Sequence, residues 1–489
     1  VNIDRMKARL SRWRTPGPAL PAVVVLLVSA LGLALRVEHA LTFDGPARGS
    51  DYDVYLQGVR WMGAHWRPFD FDPSLPSGAR YQPPLWFAAA AAVWKVTGSE
   101  RAIAALSVAG WCLRQGLLAR LLRPIGPEGA WAAVAALSLH AVLPLSVLID
   151  GKVNPEGPHA ALFMLALFAL WRMERQADEP AGISTPAAAL FGLGAGLALL
   201  TKASSAVLML TAAAVLVVRV GWSARAEGLR ATWRRLLRPA GVAALAWALV
   251  VAGWCGPNLA RRGHPFPHDW DQEFPAPRSV HDTPVLYRRP LGWALPFELT
   301  YLRSPVIRSP TEPRANFWAP LVAGTWADAY NRGFCRLAGG PTTARVWGGD
   351  EGWFSLGPAW SVTHRCLRVY VALVRVGLLL TLASVLALLD TARRSLRTRG
   401  RDGSLVLPMA VALLVLFLMA FAVVYPLDDS AVVNPRYLLS AATPLCACLG
   451  LALARLRVRH RGLGRTAIGL CLGSIAVVGG LLCFERFGR

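Results

Sequence analysis

The chain has 489 residues, is 54% hydrophobic and 17% charged, and Lys plus Arg outnumber Asp plus Glu by 52 to 29, giving a formal charge of +23. Soluble domains run near a quarter charged, so this composition, with a mean hydropathy of +0.40, excludes a soluble enzyme and predicts an all-α polytopic membrane protein. The basic excess is read as topogenic, because cytoplasmic loops of membrane proteins collect Lys and Arg and anionic headgroups attract them. Nucleic-acid binding would need a basic face with a groove-reading or stacking element; here the arginines sit between apolar runs.

Taken in order, the N-terminal piece carries Arg5, Lys7, Arg9, Arg12 and Arg14, which predicts that it stays cytoplasmic. The first apolar run, 20–36, leads into Arg36-Val-Glu-His39 with no small-residue cleavage pattern and is expected to remain as a signal anchor. Residues 37–101 form the first outer loop, with Asp44, Asp51, Asp53, Asp70 and Asp72. Its last part, 84–97, is short for a crossing of about 20 residues. Lys95 and the flanking tryptophans suit a helix lying in the interface.

With 84–97 lying flat, further spans fall near 102–121, 130–149, 157–171, 186–201, 204–219, 239–256, 371–389, 405–425, 436–454 and 466–484. That makes about eleven crossings, and every strongly basic short connection lands on one side. The chain divides into an N-terminal membrane module (1–256), a Trp-rich extracytoplasmic module of mixed structure (257–370) and C-terminal transmembrane helices (371–489). The middle segment is much too long for a plain connection. Its tryptophans, with Trp254 just before it, form either an interfacial belt, the commoner role, or a glycan platform.

The eight cysteines contain no CxxC pair, which argues against a thiolate metal site. Cys335 and Cys366 both fall outside and can pair in an oxidising compartment. Buried free thiols account for them equally well.

Polar groups reach the outer face from distant segments: Asp51 and Asp53 with Tyr55, the turn Asp150-Gly-Lys-Val-Asn-Pro-Glu156 with Lys152 and Asn154, Lys202, and Arg436-Tyr437. A general base must reach a hydroxyl, and a leaving phosphate needs cations or a metal ion; both kinds of group are present. Each also has an ordinary reading. Two acids spaced as Asp51 and Asp53 are more often a helix cap or turn than a catalytic pair, Asp150 and Lys152 read as a surface ion pair, and Arg436 and Arg114 as snorkelling span-end residues. His140, inside an apolar run, reads as a satisfied core histidine.

The order of these pieces resembles the C-type (GT-C) membrane glycosyltransferases, in the branch of protein O-mannosyltransferases and lipid A aminoarabinose transferases. The resemblance runs through Ser50-Asp-Tyr-Asp-Val-Tyr55, Gln82-Pro-Pro-Leu-Trp86, Asn154-Pro-Glu156, Leu200-Thr-Lys202 and Asn434-Pro-Arg-Tyr437. Trp254-Cys-Gly-Pro-Asn258, Asn316-Phe-Trp318 and Thr325-Trp-Ala-Asp328 extend it. It implies inverting transfer of a sugar from a polyprenyl-phosphate donor to a lipid, glycan or protein hydroxyl at the outer face of a bacterial plasma membrane. Asp51 would be the base with Asp53 behind it, and Glu156 the second acid. Lys202, Arg436 and Tyr437 would face the donor phosphate, with Lys152, Asn154 and Tyr55 in support. Where relatives place an acidic-basic pair before Pro-Pro, this chain has Tyr81 and Gln82, and where they carry Asp-Glu it reads Asp-Tyr-Asp. No cofactor is assigned and the metal position stays unknown, though a divalent cation could share the charge stabilisation. The rival classes are a transporter or lipid-linked-glycan flippase, for which ionisable groups near mid-membrane would be expected, and a non-catalytic assembly subunit.

Overall fold

A computed structural model describes residues 19–42, 50–66, 82–179, 182–263, 265, 317–327, 364–400, 404–424 and 435–487. The basic N-terminal piece, Asp44, Asp70, Asp72, Cys335 and most of 257–370 lie outside them, as do the side chains of Asp51, Asp53 and Cys366.

Among the described residues the regular structure is helical. The helices are α1 (Ala19–Thr42), α2 (Ser50–His65), α3 (Pro84–Thr97), α4 (Glu100–Leu122), α5 (Ala130–Val142), α6 (Pro144–Asp150), α7 (Glu156–Gln176) and α8 (Thr185–Thr201). They continue with α9 (Ala206–Glu227), α10 (Arg238–Arg262), α11 (Trp318–Trp326), α12 (His364–Arg397), α13 (Val406–Val424), α14 (Leu439–Arg459) and α15 (Arg461–Phe487). Among the described residues, seven helices are long and apolar enough to cross a membrane, or eight if the bent pair α5–α6 counts as one span. The remaining expected spans coincide with α7, α8 and α13. Of these, α8 and α13 are shorter apolar helices, and α7 carries Glu156, Arg172, Glu174 and Arg175. This is an all-α polytopic membrane protein.

The segment expected to lie flat is helix α3. Its 14 residues rise about 21 Å, short of the roughly 30 Å hydrocarbon core. Pro84 opens it and Gly98, in the left-handed region at φ 63°, closes it, the usual asymmetry of helix ends. Tyr55 on α2 packs edge-on against Trp86 and Phe87 of α3. With Leu56, Val59, Met62, Ile103 and Val153 these rings form a separate apolar cluster.

Helix α14 is the hub of the bundle. It packs against α4, α5, α7, α12, α13 and α15, and Cys446, Cys448, Leu449 and Gly450 are among its buried residues. Helix α8 is clamped between α7 and α10 because it has two glycine faces. A Cβ on Gly192 would lie 2.1 Å from the Ala243 carbonyl oxygen, and one on Gly196 would lie 2.8 Å from Val250, both on α10. Gly194 faces Ala166 on α7. The Gly192/Gly196 spacing lets two membrane helices approach closely. Gly192→Val should therefore cost about 1–3 kcal/mol, seen as a lower melting temperature in detergent. Gly253→Val is the control, since its Cβ would meet nothing within 4 Å; equal melting of the two variants would refute the close-packing argument.

Two expected roles are corrected. Arg114 does not snorkel and Asp150 is not a surface partner of Lys152. Both are fully buried, and Arg114 Nη2 donates to Asp150 Oδ1 at 2.5 Å while Arg36 Nε lies 3.3 Å from Oδ2. The cause is a proline. Pro144 forces Leu143 out of helical backbone, to ψ 116°, as residues before proline are disfavoured in the α region, and the chain bends by 49°. The bend leaves the Ala141 carbonyl for Arg36 Nη1 at 2.8 Å, while Nη2 donates to Ser146 Oγ at 2.7 Å. Trp111 lies flat against the Arg36 guanidinium, 4.2 Å away. His140 is a satisfied core histidine, between Gln115 Oε1 at 2.7 Å and Thr443 Oγ1 at 3.0 Å.

Of the expected tryptophan belt, Trp254 is buried. Trp326 packs on Gly377 and donates to Thr381 Oγ1 at 2.8 Å, so both serve packing. Helix α11, which contains Trp326, rests on α12 and on the 3-10 turn Pro435–Leu438.

Candidate functional site

The turn after α6 is shaped by Asn154. Its Nδ2 donates to the Ile149 carbonyl at 2.8 Å, and its Oδ1 accepts from the backbone N–H groups of Glu156 and Gly157 at 2.9 and 3.3 Å. Capping of this kind satisfies the first free donors of a helix and places Glu156 at the start of α7. Ser107 on α4 braces the turn, donating to the Lys152 carbonyl at 3.1 Å. A side chain at Gly157 would press on Ser107 at 2.9 Å, so α4 and α7 touch beneath the site.

Three charged groups from three segments meet there. Glu156 Oε1 accepts from Lys202 Nζ at 2.9 Å and lies 3.8 Å from Arg436 Nε. Glu156 is 3% exposed, Lys202 13% and Arg436 19%. Lys202 sits in extended backbone between α8 and the short 3-10 turn before α9, and Arg436 in the 3-10 turn before α14. Arg436 Nη2 donates to the Tyr437 hydroxyl at 3.0 Å, and Lys202 Nζ stands over the Tyr437 ring at 4.6 Å. Two cations thus share one carboxylate, at a point partly open on the cation side. Glu156 Oε2 is buried and accepts no hydrogen bond among the described residues.

Beneath the charges lies His159, which no sequence argument singled out. Its Nε2 is 2.7 Å from Ser205 Oγ and its Nδ1 3.3 Å from Ser440 Oγ. The i, i+3 step from Glu156, which puts both on one helix face, was the signal that could have found it.

Asp51 and Asp53 fall in the first turns of α2, which begins at Ser50. Tyr55 is buried against α3, and Val153, next to Asn154, belongs to the same apolar cluster. That cluster ties the start of α2 to the Glu156 turn. Lys152 is half-buried. No group of three His, Cys, Asp or Glu that could hold a metal occurs among the described residues, and Glu156 already faces two cations.

The arginine-rich connections lie at the other end of the bundle. Helix α7 runs from Glu156 to the buried Glu174, a rise of about 27 Å. There Glu174 meets Arg219, which also binds Asp178 and the Arg399 carbonyl. Asp390 likewise holds Arg394 and Arg455. Between α7, α8, α9 and α10, toward the Glu174–Arg219 end, is a largely apolar cavity of about 240 Å³, lined by Leu170, Glu174, Phe191, Met209, Arg219 and Ala243 among others.

No family model matches the chain, and no curated protein sequence does. Solved structures do. The archaeal oligosaccharyltransferase AglB from Archaeoglobus fulgidus, in complex with an inhibitory peptide and a dolichol-phosphate, matches with a TM-score of 0.51 and 14% identity over 95% of this chain and 56% of that one. The Archaeoglobus fulgidus oligosaccharyltransferase in complex with Zn and sulfate has the same score and identity, over 95% of this chain and 53% of that one. ArnT from Cupriavidus metallidurans bound to undecaprenyl phosphate is 18% identical over 97% of this chain and 79% of that one, but its TM-score of 0.40 carries no argument. This chain thus spans little more than half the length of the oligosaccharyltransferase. By the arrangement of its helices, it shares the membrane fold of the archaeal oligosaccharyltransferase.

Proposed function

We propose that this protein transfers a sugar, hexose or pentose, from a polyprenyl-phosphate carrier to an acceptor hydroxyl. The observation that carries the reading is the meeting of Lys202 and Arg436 on buried Glu156 at one end of a membrane bundle. Two cations brought together on one carboxylate suit a phosphate whose negative charge grows as it departs. The arginine-rich end marks the cytoplasmic side by the positive-inside rule, so the site faces outward, as in a bacterial plasma membrane.

In the reaction, Asp51 takes the acceptor O–H proton as that oxygen attacks the anomeric carbon. The bond from that carbon to the phosphate oxygen breaks, and its electron pair leaves with the polyprenyl phosphate. A single displacement of this kind inverts the anomeric centre. Lys202 and Arg436 hold the departing phosphate, and Tyr437 and Glu156 hold those two cations in place. Glu156 Oε2 is available to accept a hydrogen bond from a substrate hydroxyl. Asn154 shapes the turn, Lys152 and Tyr55 support it, and Asp53 is the second candidate base. The Zn in the oligosaccharyltransferase complex belongs to that protein. Here Lys202 and Arg436 lie on Glu156 Oε1 and supply the positive charge that the phosphate needs.

The acceptor is a lipid, glycan or protein hydroxyl. The transporter reading gains one observation, the fully buried Arg36–Asp150–Arg114 group, yet Asp150 is saturated by Arg36, Arg114 and Ser146. The test is binding and consumption of a panel of polyprenyl-phosphate sugars by purified protein. Arg436→Ala should weaken donor binding by roughly tenfold to a hundredfold, the value of one charged hydrogen bond. Unchanged binding in Arg436→Ala and Lys202→Ala alike would refute the phosphate assignment.

A further inference from the structure

We propose that His159 is a positioning residue that holds the Lys202 and Arg436 turns in register around Glu156. Resting on the phosphate-site reading above, this adds a residue that need not touch substrate. His159 is buried on α7, one turn past Glu156. Its Nε2 meets Ser205, three residues after Lys202, at 2.7 Å, with Ser204 Oγ at 3.5 Å. Its Nδ1 meets Ser440, four residues after Arg436, at 3.3 Å. Ser205 and Ser440 are themselves buried. One imidazole therefore links the three segments that carry the three charged groups.

The chemistry suits a fixed link. A neutral imidazole offers one donor and one acceptor, and a serine hydroxyl can be either, so both ring nitrogens are satisfied in either tautomer. Lys202 and Arg436 lie side by side on Glu156 and like charges repel, so the turns that carry them gain from an anchor beneath. A phosphate site works when its cations are preorganised by the shell beneath them, and a misplacement near 1 Å can cost on the order of a hundredfold in rate. His159 supplies the shared anchor.

The two ring nitrogens can be tested separately. A glutamine amide reaches about where Nε2 stands and an asparagine amide about where Nδ1 stands. His159→Asn should keep the Ser440 link and release residues 201–206, and His159→Gln should do the reverse for 435–440. Amide hydrogen exchange in detergent should rise about tenfold in the released turn only, with α5 and α6 unchanged. Polyprenyl phosphate, titrated alone, should bind roughly tenfold more weakly to each variant. Ser205→Ala and Ser440→Ala should reproduce the two patterns and decide the matter if a histidine variant fails to fold. Folded serine variants with wild-type exchange in both turns would overturn the proposal. If wild-type protein binds no polyprenyl phosphate, the functional reading falls, and the exchange pattern still decides the role of His159.

Discussion

Asp150→Ala is expected to destabilise the folded protein by about 3–5 kcal/mol, the usual cost of stripping one partner from a buried ion pair. Total stabilities run about 5–15 kcal/mol, so this is a large share. Asp150 accepts from Arg36, Arg114 and Ser146, and both arginine side chains are 0% exposed. Without the carboxylate, two buried guanidinium groups face each other with no counter-charge among the described residues. Arg114→Met should be milder, because it leaves Arg36 and Asp150 as a balanced pair within the helix bend. Combining Arg114→Met with Asp150→Ala should recover part of the loss by removing the surplus charge. Denaturation in detergent checks this: Asp150→Ala no less stable than Arg114→Met would show that charge balance is not what holds α1, α4 and α6 together.

What could be read in advance follows from what determines it. Apolar runs and their breaks are local, so the helix at 84–97 and the segments that became α1, α4 to α10 and α12 to α15 were legible. Partner choice inside the bundle was not. Arg114 in an apolar run looks the same whether it snorkels or pairs, and Arg36 and Asp150 are separated by 114 positions. The cue that was present is Pro144, whose bend leaves a carbonyl for a buried cation. The turns bearing Glu156, Lys202 and Arg436 drew attention as polar interruptions between apolar helices. His159 did not, because a lone histidine in an apolar helix has no local mark that separates a filler from a link. The glycine faces of α8 were visible as Gly192, Gly194 and Gly196, but which neighbour each meets depends on tertiary packing.

Asp51→Asn is expected to lower the rate of sugar transfer by roughly a hundredfold to ten-thousandfold, the range for removing a general base, while donor binding stays near wild type. The amide matches the carboxylate in shape but cannot take the proton of the attacking hydroxyl. Donor affinity should persist because the proposed phosphate ligands, Lys202 and Arg436, are held by Glu156 and Tyr437, not by α2. The position is suited to the role. Asp51 lies in the first turn of α2, where the helix end favours a negative side chain. Tyr55, one turn on, is fastened to Trp86 and Phe87 and so to the cluster that contains Val153. Asp53→Asn should have the smaller effect; if it alone abolishes transfer, the base is Asp53. Transfer within a few-fold of wild type in the double Asp51→Asn, Asp53→Asn variant would remove both acids from the mechanism. A transporter would move its lipid at the wild-type rate in Asp51→Asn, so measuring transfer and lipid movement on the same reconstituted protein separates the two functions.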